Sequence, residues 1–282
     1  MRPLARLKED IDFNKNLSDI IDILKIASSI QLRQFQLQEK IENEEFDKGL
    51  IECAELLRLK GIRHPFFETK EGPLYIVIVS SDEGFLGELN ILLVNTGLNQ
   101  RRNREDFILV LGEKGASYLE DMKESFLFLE GVSDEISEKE VVSISKFLIK
   151  EYLDKNISKI LIVYPKFVTI SSQVITVETL LPLGIILREE RVTLDKEQLL
   201  IEPSEEEVIE GLVNLWFKFH IFKILFSSKL SEFSARVMHL EASSQELSQI
   251  NQRLKFEYFK NLHIMSDNSI RESSATKNIW KK

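Results

Sequence analysis

The sequence predicts an α/β protein whose long N- and C-terminal helices pair as an antiparallel coiled coil, with an inserted α/β domain that contains a mostly parallel sheet. Residues 4–48 and 212–282 contain neither Gly nor Pro, the two strongest helix breakers. Ten of the 11 glycines lie between Gly49 and Gly184, so turns are concentrated in the middle. There, β-branched apolar runs alternate with helical patterns, as in parallel sheets with crossover helices.

The two Gly- and Pro-free segments are predicted to pack along each other. A helix over residues 212–282 would be about 107 Å long at 1.5 Å per residue, more than a globular core of this chain covers. It carries an a/d seam with steps of four and three, interrupted by two polar residues: Phe233, Val237, Leu240, Ser244, Leu247, Asn251, Leu254 and Tyr258. The N-terminal segment offers an apolar stripe as the matching face: Leu17, Ile20, Ile21, Leu24, Ala27 and Ile30.

The middle of the chain is predicted to hold the sheet. Continuous apolar runs typical of strands buried on both faces cover Leu74–Ser80, Phe107–Leu111 and Ile160–Tyr164, the last stopped by Pro165. Helical patterns cover residues 87–95, 116–122 and 137–153, and the last opens with the capping-box pair Ser137 and Glu140. Further strands are expected at Val168–Ile175 and Ile185–Leu194. We expect three regions: an N-terminal coiled-coil helix (1–60), an α/β domain (70–205) and a C-terminal coiled-coil helix (206–282).

Composition and charge disfavour several function classes. A net charge of −9 disfavours nucleic acid as a partner. The single cysteine, Cys53, excludes a disulfide framework and a cysteine-rich zinc site. The four histidines lack ligand spacing, the chain has no P-loop, and no apolar run is long enough to span a bilayer. We therefore expect no catalytic residue, no metal and no cofactor in this chain.

Three short segments admit a ligand or a purely structural interpretation. Gly112–Gly115 follows a strand and opens a helix, which suits either an anion site or a plain strand-to-helix turn. The turn is the preferred interpretation of this segment. The loop Asp82–Gly87 also follows a strand and could bind a phosphate, but its two acidic residues would repel an anion, so a structural loop is preferred there too. Leu215–Phe226 fits a membrane contact or, preferably, a buried helix face. Ser204 is expected to cap a helix whose first turn holds Glu205–Glu207.

Seven short motifs, in order and well spaced, make the chain resemble the gamma subunit of F-type ATP synthases along most of its length. The matching segments are Ser18–Arg33, Ser80–Asn90, Val110–Gly115, Tyr164–Val168, Thr179–Leu183, Ile201–Ser204 and Ser231–Met238. The resemblance implies a non-catalytic rotor whose coiled coil lies in a ring of alternating alpha-type and beta-type subunits. The α/β part would then contact an epsilon-type subunit and a c-ring, as part of a peripheral complex on the cytoplasmic face of a membrane.

The resemblance also assigns expected contact residues. Asp267 and Asn268 stand where the family has a Thr-Gln pair that binds a beta-subunit loop. Arg33 and Arg236 stand at the family's arginine positions and are expected to contact beta-type subunits, with packing or ion pairing as the simpler alternative. Asp82 and Glu83 are expected in the foot of the rotor.

The chain departs from the family mainly in charge. Asp19, Asp22 and Gln31 replace family positions that are usually basic, and Glu83 and Glu88 replace Arg and Gly. No insertion with paired cysteines is present, so the resemblance implies no thiol regulation. Two alternatives stay open: a gamma-like shaft of a specialised motor not coupled to ion transport, and a coiled-coil scaffold with an α/β head.

Overall fold

The computed structural model describes residues 2–38, 49, 64–68, 70–183 and 202–279, with side chains up to residue 274. Cys53 and the predicted strand Ile185–Leu194 lie outside the described residues. The chain divides into two compact units, one of Met1–Ile30 with Val237–Lys282 and one of Gln31–Arg236. The predicted division into regions 1–60, 70–205 and 206–282 stays a prediction.

The described elements are, in chain order, α1 (Leu4–Gln38), β1 (Leu74–Val79), α2 (Leu89–Asn99), β2 (Phe107–Leu111), α3 (Glu113–Asp121), β3 (Leu127–Leu129), α4 (Glu138–Asp154), β4 (Lys159–Thr169), β5 (Ser172–Leu181) and α5 (Glu205–Ile279). The two long helices and the central α/β pattern are as the sequence predicts. Ser204 caps α5 as expected, since its Oγ accepts a hydrogen bond from the Glu207 N–H at 3.2 Å.

In the smaller unit, α1 and α5 run antiparallel. Lys25 Nζ lies 3.0 Å from Glu241 Oε2, and Asn261 Nδ2 donates to the carbonyl oxygen of Arg2 at 3.3 Å. Residue numbers thus rise along one helix as they fall along the other. The seam predicted on α5 is confirmed: Leu240 and Leu247 are buried, and Ser244, Asn251, Leu254 and Tyr258 are half-buried.

The prediction that the apolar stripe from Leu17 to Ile30 forms the inward face of α1 is wrong. Of its six residues only Ile21 is half-buried, and the other five are exposed. The side of α1 that is buried or half-buried follows another heptad stripe: Leu4, Leu7, Ile11, Asn14, Ser18, Ile21, Lys25, Ser28, Leu32 and Phe35. Four of these residues are polar, so the apolar pattern alone selected the wrong face.

The sheet of the larger unit has the order β3-β2-β1-β4-β5, in which only β5 is antiparallel. All six residues of β1 are buried, as expected for a central parallel strand. Helices α2 and α3 supply one apolar layer against the sheet. Helix α4 and residues 209–225 of α5 supply the other. The sheet is thus covered on both faces.

Two strand predictions need correction at Pro165 and beyond. Strand β4 continues through Pro165 to Thr169, and a turn separates it from Ser172, so Val168–Ile175 is not one strand. Strand β1 pairs with β4 only as far as Val163. Beyond it β4 pairs with β5 alone, so a residue without an N–H is tolerated there.

Local hydrogen bonds fix the ends of several elements. The capping box of α4 is confirmed, because the Ser137 N–H donates to Glu140 Oε2 at 2.8 Å and the Glu140 N–H to Ser137 Oγ at 3.3 Å. Asp106, which is buried, accepts from three backbone N–H groups: Leu74 at 2.8 Å, Arg102 at 2.7 Å and Asn103 at 3.2 Å. Asp106 therefore joins the beginning of β1 to the turn before β2.

Candidate functional site: the coiled-coil surface

The exposed side of α1 carries an apolar surface, here called the outer strip: Phe13, Leu17, Ile20 and Leu24. Their side chains are 67%, 36%, 54% and 36% exposed. The steps of four, three and four are those of a heptad, so this surface has the geometry of a second helix-packing seam. Three more isoleucines of α1, Ile23, Ile26 and Ile30, are also exposed.

Over the same turns of α1, the inward face of the helix is mainly polar. Asn14, Ser18 and Ser28 lie on it, and Lys25 binds Asp22 at 3.1 Å and Glu241 at 3.0 Å. In a helix stabilised by one partner, apolar residues face that partner and polar residues face water. The opposite distribution at this level makes the outer strip a candidate interaction surface, because contiguous exposed apolar surface marks interaction sites.

The charge of α1 gives little support for an acidic partner. Hydrogen bonds to Glu241 and Asp22 raise the pKa of Lys25, so its charge is engaged within the coiled coil. Asp12 and Asp19 are exposed on the same helix. Exposed Arg6, Lys8, Lys15 and Arg33 balance the exposed acidic residues Glu9, Asp12 and Asp19, so the surface charge of α1 does not select an acidic partner.

The two predicted contact residues near the C-terminus are exposed. Asp267 and Asn268 lie on α5, beyond Asn261, whose side chain binds Arg2 near the start of α1. Ile270 on the same stretch is 61% exposed. The position is suitable for contacts with another chain, and the contacts themselves stay a prediction.

The two predicted contact arginines differ in environment. Arg33 is exposed on α1. Arg236 is buried, its Nη2 lies 2.7 Å from Glu232 Oε1 and 3.2 Å from Glu83 Oε2, and its Nε donates to the Gly84 carbonyl at 3.3 Å. The structure thus brings together Arg236 and Glu83, two residues that the sequence assigned to different surfaces.

Asp82 has a structural role at the beginning of α3. Its Oδ1 accepts from the Glu113 N–H at 2.9 Å and from the Gly131 N–H at 3.2 Å. The next two N–H groups of the helix, those of Lys114 and Gly115, donate to Ser81 O and Ser80 Oγ. A carboxylate of the chain thus occupies the place of an anion, which confirms the turn interpretation of this segment.

Gly112 is required at this turn. Its φ is +99°, and a Cβ there would lie 2.5 Å from the carbonyl oxygen of Ser80. Glu83 and Phe85, by contrast, are exposed on the preceding loop. Of the two expected foot residues, therefore, Asp82 is engaged in hydrogen bonds within the chain. Glu83 pairs with Arg236 and is at the same time exposed to solvent.

A polar cluster lies between β4, β5 and α5. The Tyr164 hydroxyl donates to Glu178 Oε1 at 2.6 Å, and His220 Nε2 lies 3.1 Å from Glu178 Oε2. Burial would raise the pKa of Glu178, but hydrogen bonds with His220 and Tyr164 outweigh it and lower the pKa. The indole of Trp216 stacks on His220 at a centroid distance of 4.7 Å.

The segment Leu215–Phe226 forms a buried helix face. Trp216, Phe217, Ile221, Ile224 and Leu225 are buried in the core of the larger unit, which confirms the preferred interpretation. Within the described part of the chain, no helix has the length and apolar character needed to cross a membrane. Among the same residues, no group of His, Cys, Asp and Glu could hold a metal ion.

Comparisons with known proteins agree with these features. Residues 3–261 match a family model described as ATP synthase. The ATP synthase gamma chain of Clostridium perfringens (strain SM101) is 28% identical over 285 residues, covering 98% of this chain and 94% of the relative. The gamma chain of Trichlorobacter lovleyi is 24% identical and covers 92% of both chains.

A similar fold occurs in solved structures. A chain of the Euglena gracilis mitochondrial ATP synthase, from a structure titled OSCP/F1/c-ring, has a TM-score of 0.74 at 14% identity and covers 98% of this chain and 93% of that chain. A chain from the rotor of the same complex has a TM-score of 0.68 at 15% identity, covering 93% of this chain and 98% of that chain. At such identities the likeness shows the fold alone.

Two paired terminal helices with an outward apolar strip, and an α/β unit inserted between them in sequence, define a shaft-type subunit of a larger assembly. The chain belongs to the ATP synthase family, in which it takes the place of the gamma subunit, the rotor of the central stalk.

Sequence reasoning missed two features of these surfaces. It assigned three residues of the outer strip, Leu17, Ile20 and Leu24, to the inward face, because apolar periodicity does not tell which partner covers a stripe. It also missed the pairing of Lys229, Glu232 and Arg236 on α5. The i, i+3 and i+4 spacing of opposite charges was the available signal for that pairing.

Proposed function

We propose that this chain couples rotation to ATP synthesis or hydrolysis in a ring of alpha-type and beta-type subunits, which carry the catalytic sites. The observation that carries the proposal is the outer strip of α1, Phe13, Leu17, Ile20 and Leu24, which is apolar, exposed and spaced as a helix-packing seam. A shaft held by a surrounding ring needs such an outward surface. Rotation would bring it to each subunit in turn, and the differential contacts would bias their conformations.

The chemistry of the strip suggests what it touches. The family resemblance implies an acidic lever on the beta-type subunit, but α1 offers apolar side chains, and its Lys25 is engaged internally. The proposed partner segment is therefore apolar where it meets the outer strip. Arg33, Asp267 and Asn268, all exposed, complete the proposed ring contacts. The burial of Arg236 supports an internal role for that residue instead.

The remaining partners are proposed from the resemblance. The α/β unit, with Glu83 on an exposed loop, would contact an epsilon-type subunit and, in an ion-coupled complex, a c-ring. The subunit itself is proposed to be non-catalytic and to act at the cytoplasmic face of a membrane. The structurally similar chain from Euglena gracilis belongs to a complex that contains a c-ring, which supports the ion-coupled form.

Native mass spectrometry of the chain, co-purified gently with ATP and magnesium, tests the assembly. One copy with three alpha-type and three beta-type subunits is the expected composition. Added epsilon-type and c subunits indicate an ion-coupled complex, and a ring with other proteins indicates a specialised motor. A monomer or homodimer that persists with candidate ring subunits present contradicts the proposal and favours a scaffold.

A matched pair of variants tests the strip itself. Leu17→Glu with Ile20→Glu places two charges in the outer strip without altering a buried residue, so the isolated chain should keep its melting temperature. Asn16→Glu, at a neighbouring exposed position outside the strip, is the control. The strip variant should lose ring assembly or ATP-driven rotation while the control keeps both. Equal behaviour of the two variants would show that the strip does not contact the ring.

A further inference from the structure

Helix α5 carries a buried ionic network within the larger unit. Lys229, Glu232 and Arg236 have side chains that are 8%, 7% and 5% exposed. Glu232 uses both carboxylate oxygens: Oε2 lies 3.1 Å from Lys229 Nζ, and Oε1 lies 2.7 Å from Arg236 Nη2. The three residues therefore form one continuous charged ladder along a single face of the helix.

Both ends of this ladder reach loops that follow strands of the sheet. Arg236 binds Glu83 at 3.2 Å and the Gly84 carbonyl at 3.3 Å, in the loop after β1. Lys229 Nζ lies 3.5 Å from Asp134 Oδ1, in the segment between β3 and α4. The amide of Gln31, on α1, donates to the other oxygen of Asp134 at 2.8 Å.

The ring of Phe233 supports the same geometry. Lys229 Nζ and the Arg236 guanidinium lie 5.8 Å and 5.7 Å from its centroid, within the range of cation–π contacts. Ser231 on α5 adds a hydrogen bond to the sheet, because its Oγ donates to the carbonyl oxygen of Pro165 in β4 at 2.9 Å.

Such a network is an inefficient way to stabilise a fold. Buried ion pairs lose hydration, and well-packed apolar residues in their place are often neutral or stabilising. Charged hydrogen bonds do, however, fix the relative orientation of the groups they join, because their strength falls steeply with angle and distance. Apolar contacts are non-directional and do not fix orientation in this way. At this segment of α5 they oppose rotation of the helix about its own axis.

We propose that Lys229, Glu232 and Arg236 form a rotational lock that fixes the angle of α5 against the loops after β1 and β3. The inference rests on the proposed function, because α5 continues from this lock to Ile279 as one helix of the shaft. The three side chains are positioning residues for torque transmission. Without them the helix would turn slightly under load before the sheet follows.

The test uses the assembled complex with Lys229→Met and Glu232→Gln combined, which removes two of the three charges and keeps side chains of similar size. Arg101→Met with Glu124→Gln is the matched control, because it removes another ion pair, of 2.6 Å, that does not involve α5. Lys229→Arg keeps the charge and is the conservative variant. Rotation is followed by single-molecule imaging against increasing load, and the melting temperature of each isolated chain is recorded.

The lock variant should hydrolyse ATP at the unchanged rate without load but stall at a lower opposing torque. The control and Lys229→Arg should stall at the torque of the unchanged complex. An unchanged stalling torque in the lock variant would overturn the proposal. So would an equal loss in the control at an equal drop in melting temperature, because general destabilisation would then explain the effect.

A second measurement needs no ring and separates this inference from the proposed function. Spin labels at Leu215 and Leu92, both exposed and both within the larger unit, report the distance between α5 and α2 in the isolated chain. The lock predicts that the lock variant loses a single narrow distance peak. If the unchanged chain never assembles into a ring, the proposed function fails, and the spin-label result alone decides for or against the lock.

Discussion

Replacing Asn251 by Leu should stabilise the coiled coil. Asn251 lies in the seam of α5 and is half-buried, and its Oδ1 is buried with no hydrogen-bond partner among the described residues. An unpartnered buried acceptor costs about 1–3 kcal/mol. Leu has a similar branched shape and no polar atom, so the variant should gain about that amount. The corresponding rise in melting temperature is about 2–4 °C for each kcal/mol.

The assay is thermal unfolding of the isolated chain followed by circular dichroism of its helices. Gln252→Leu is the control, because Gln252 is exposed beside the seam and its replacement removes no buried polar atom. A lower melting temperature for Asn251→Leu would refute the reasoning. It would show that the Oδ1 atom is paired in solution or that the seam has no room for the added methyl groups.

Polar seam residues such as Asn251 also restrict register. The stabilised variant should therefore be checked for ring assembly as well as for stability. A gain in melting temperature with a loss of rotation would indicate that the polar seam keeps the two helices aligned at a cost in stability.

Four further outcomes follow from hydrogen bonds and backbone geometry of the larger unit. Asp106→Ala removes the acceptor of three backbone N–H groups, of which that of Leu74 is buried, and should cost about 1–3 kcal/mol in urea unfolding, whereas Glu105→Ala, at an exposed position, should change little. Burial raises the pKa of Asp106, but its backbone hydrogen bonds outweigh burial and lower the pKa overall. The ionised carboxylate therefore stabilises the fold above the usual carboxyl pKa range, and this stabilisation is lost as the pH falls through the lowered pKa. Unfolding of Asp106→Asn measured over a pH series should show a smaller loss of stability in acid than the unchanged chain. Gly112→Ala should lower the melting temperature because of its positive φ. For Glu178, whose pKa is also lowered, His220→Gln should likewise reduce the stability lost on going from neutral to acid pH.

Several acidic residues of this negatively charged chain form hydrogen bonds or ion pairs within it. Asp82 satisfies N–H groups at the beginning of α3, and Glu232 joins two buried cations. Asp22 pairs with Lys25 inside the coiled coil. Several acidic residues that depart from the family's pattern or raise its negative charge thus have partners within the chain.

The sequence by itself determined the features that depend on neighbours along the chain. The absence of Gly and Pro allowed long helices over α1 and α5, and continuous β-branched runs specified β1 and β2. The capping box at Ser137 and Glu140 closes within one helical turn, so its pattern was sufficient. Short motifs in a fixed order carried the family resemblance for the same reason.

The tertiary structure alone decided which faces and partners these elements use. Leu17 and Ile20 have the same local pattern as core residues, but the polar inward face of α1 is specified by residues of α5 more than 200 positions away. Pro165 remains in a strand because of where β1 ends, and Arg236 pairs with Glu83, which is 153 positions away along the chain. These outcomes depend on contacts between distant parts of the chain, which apolar periodicity and local propensity do not encode.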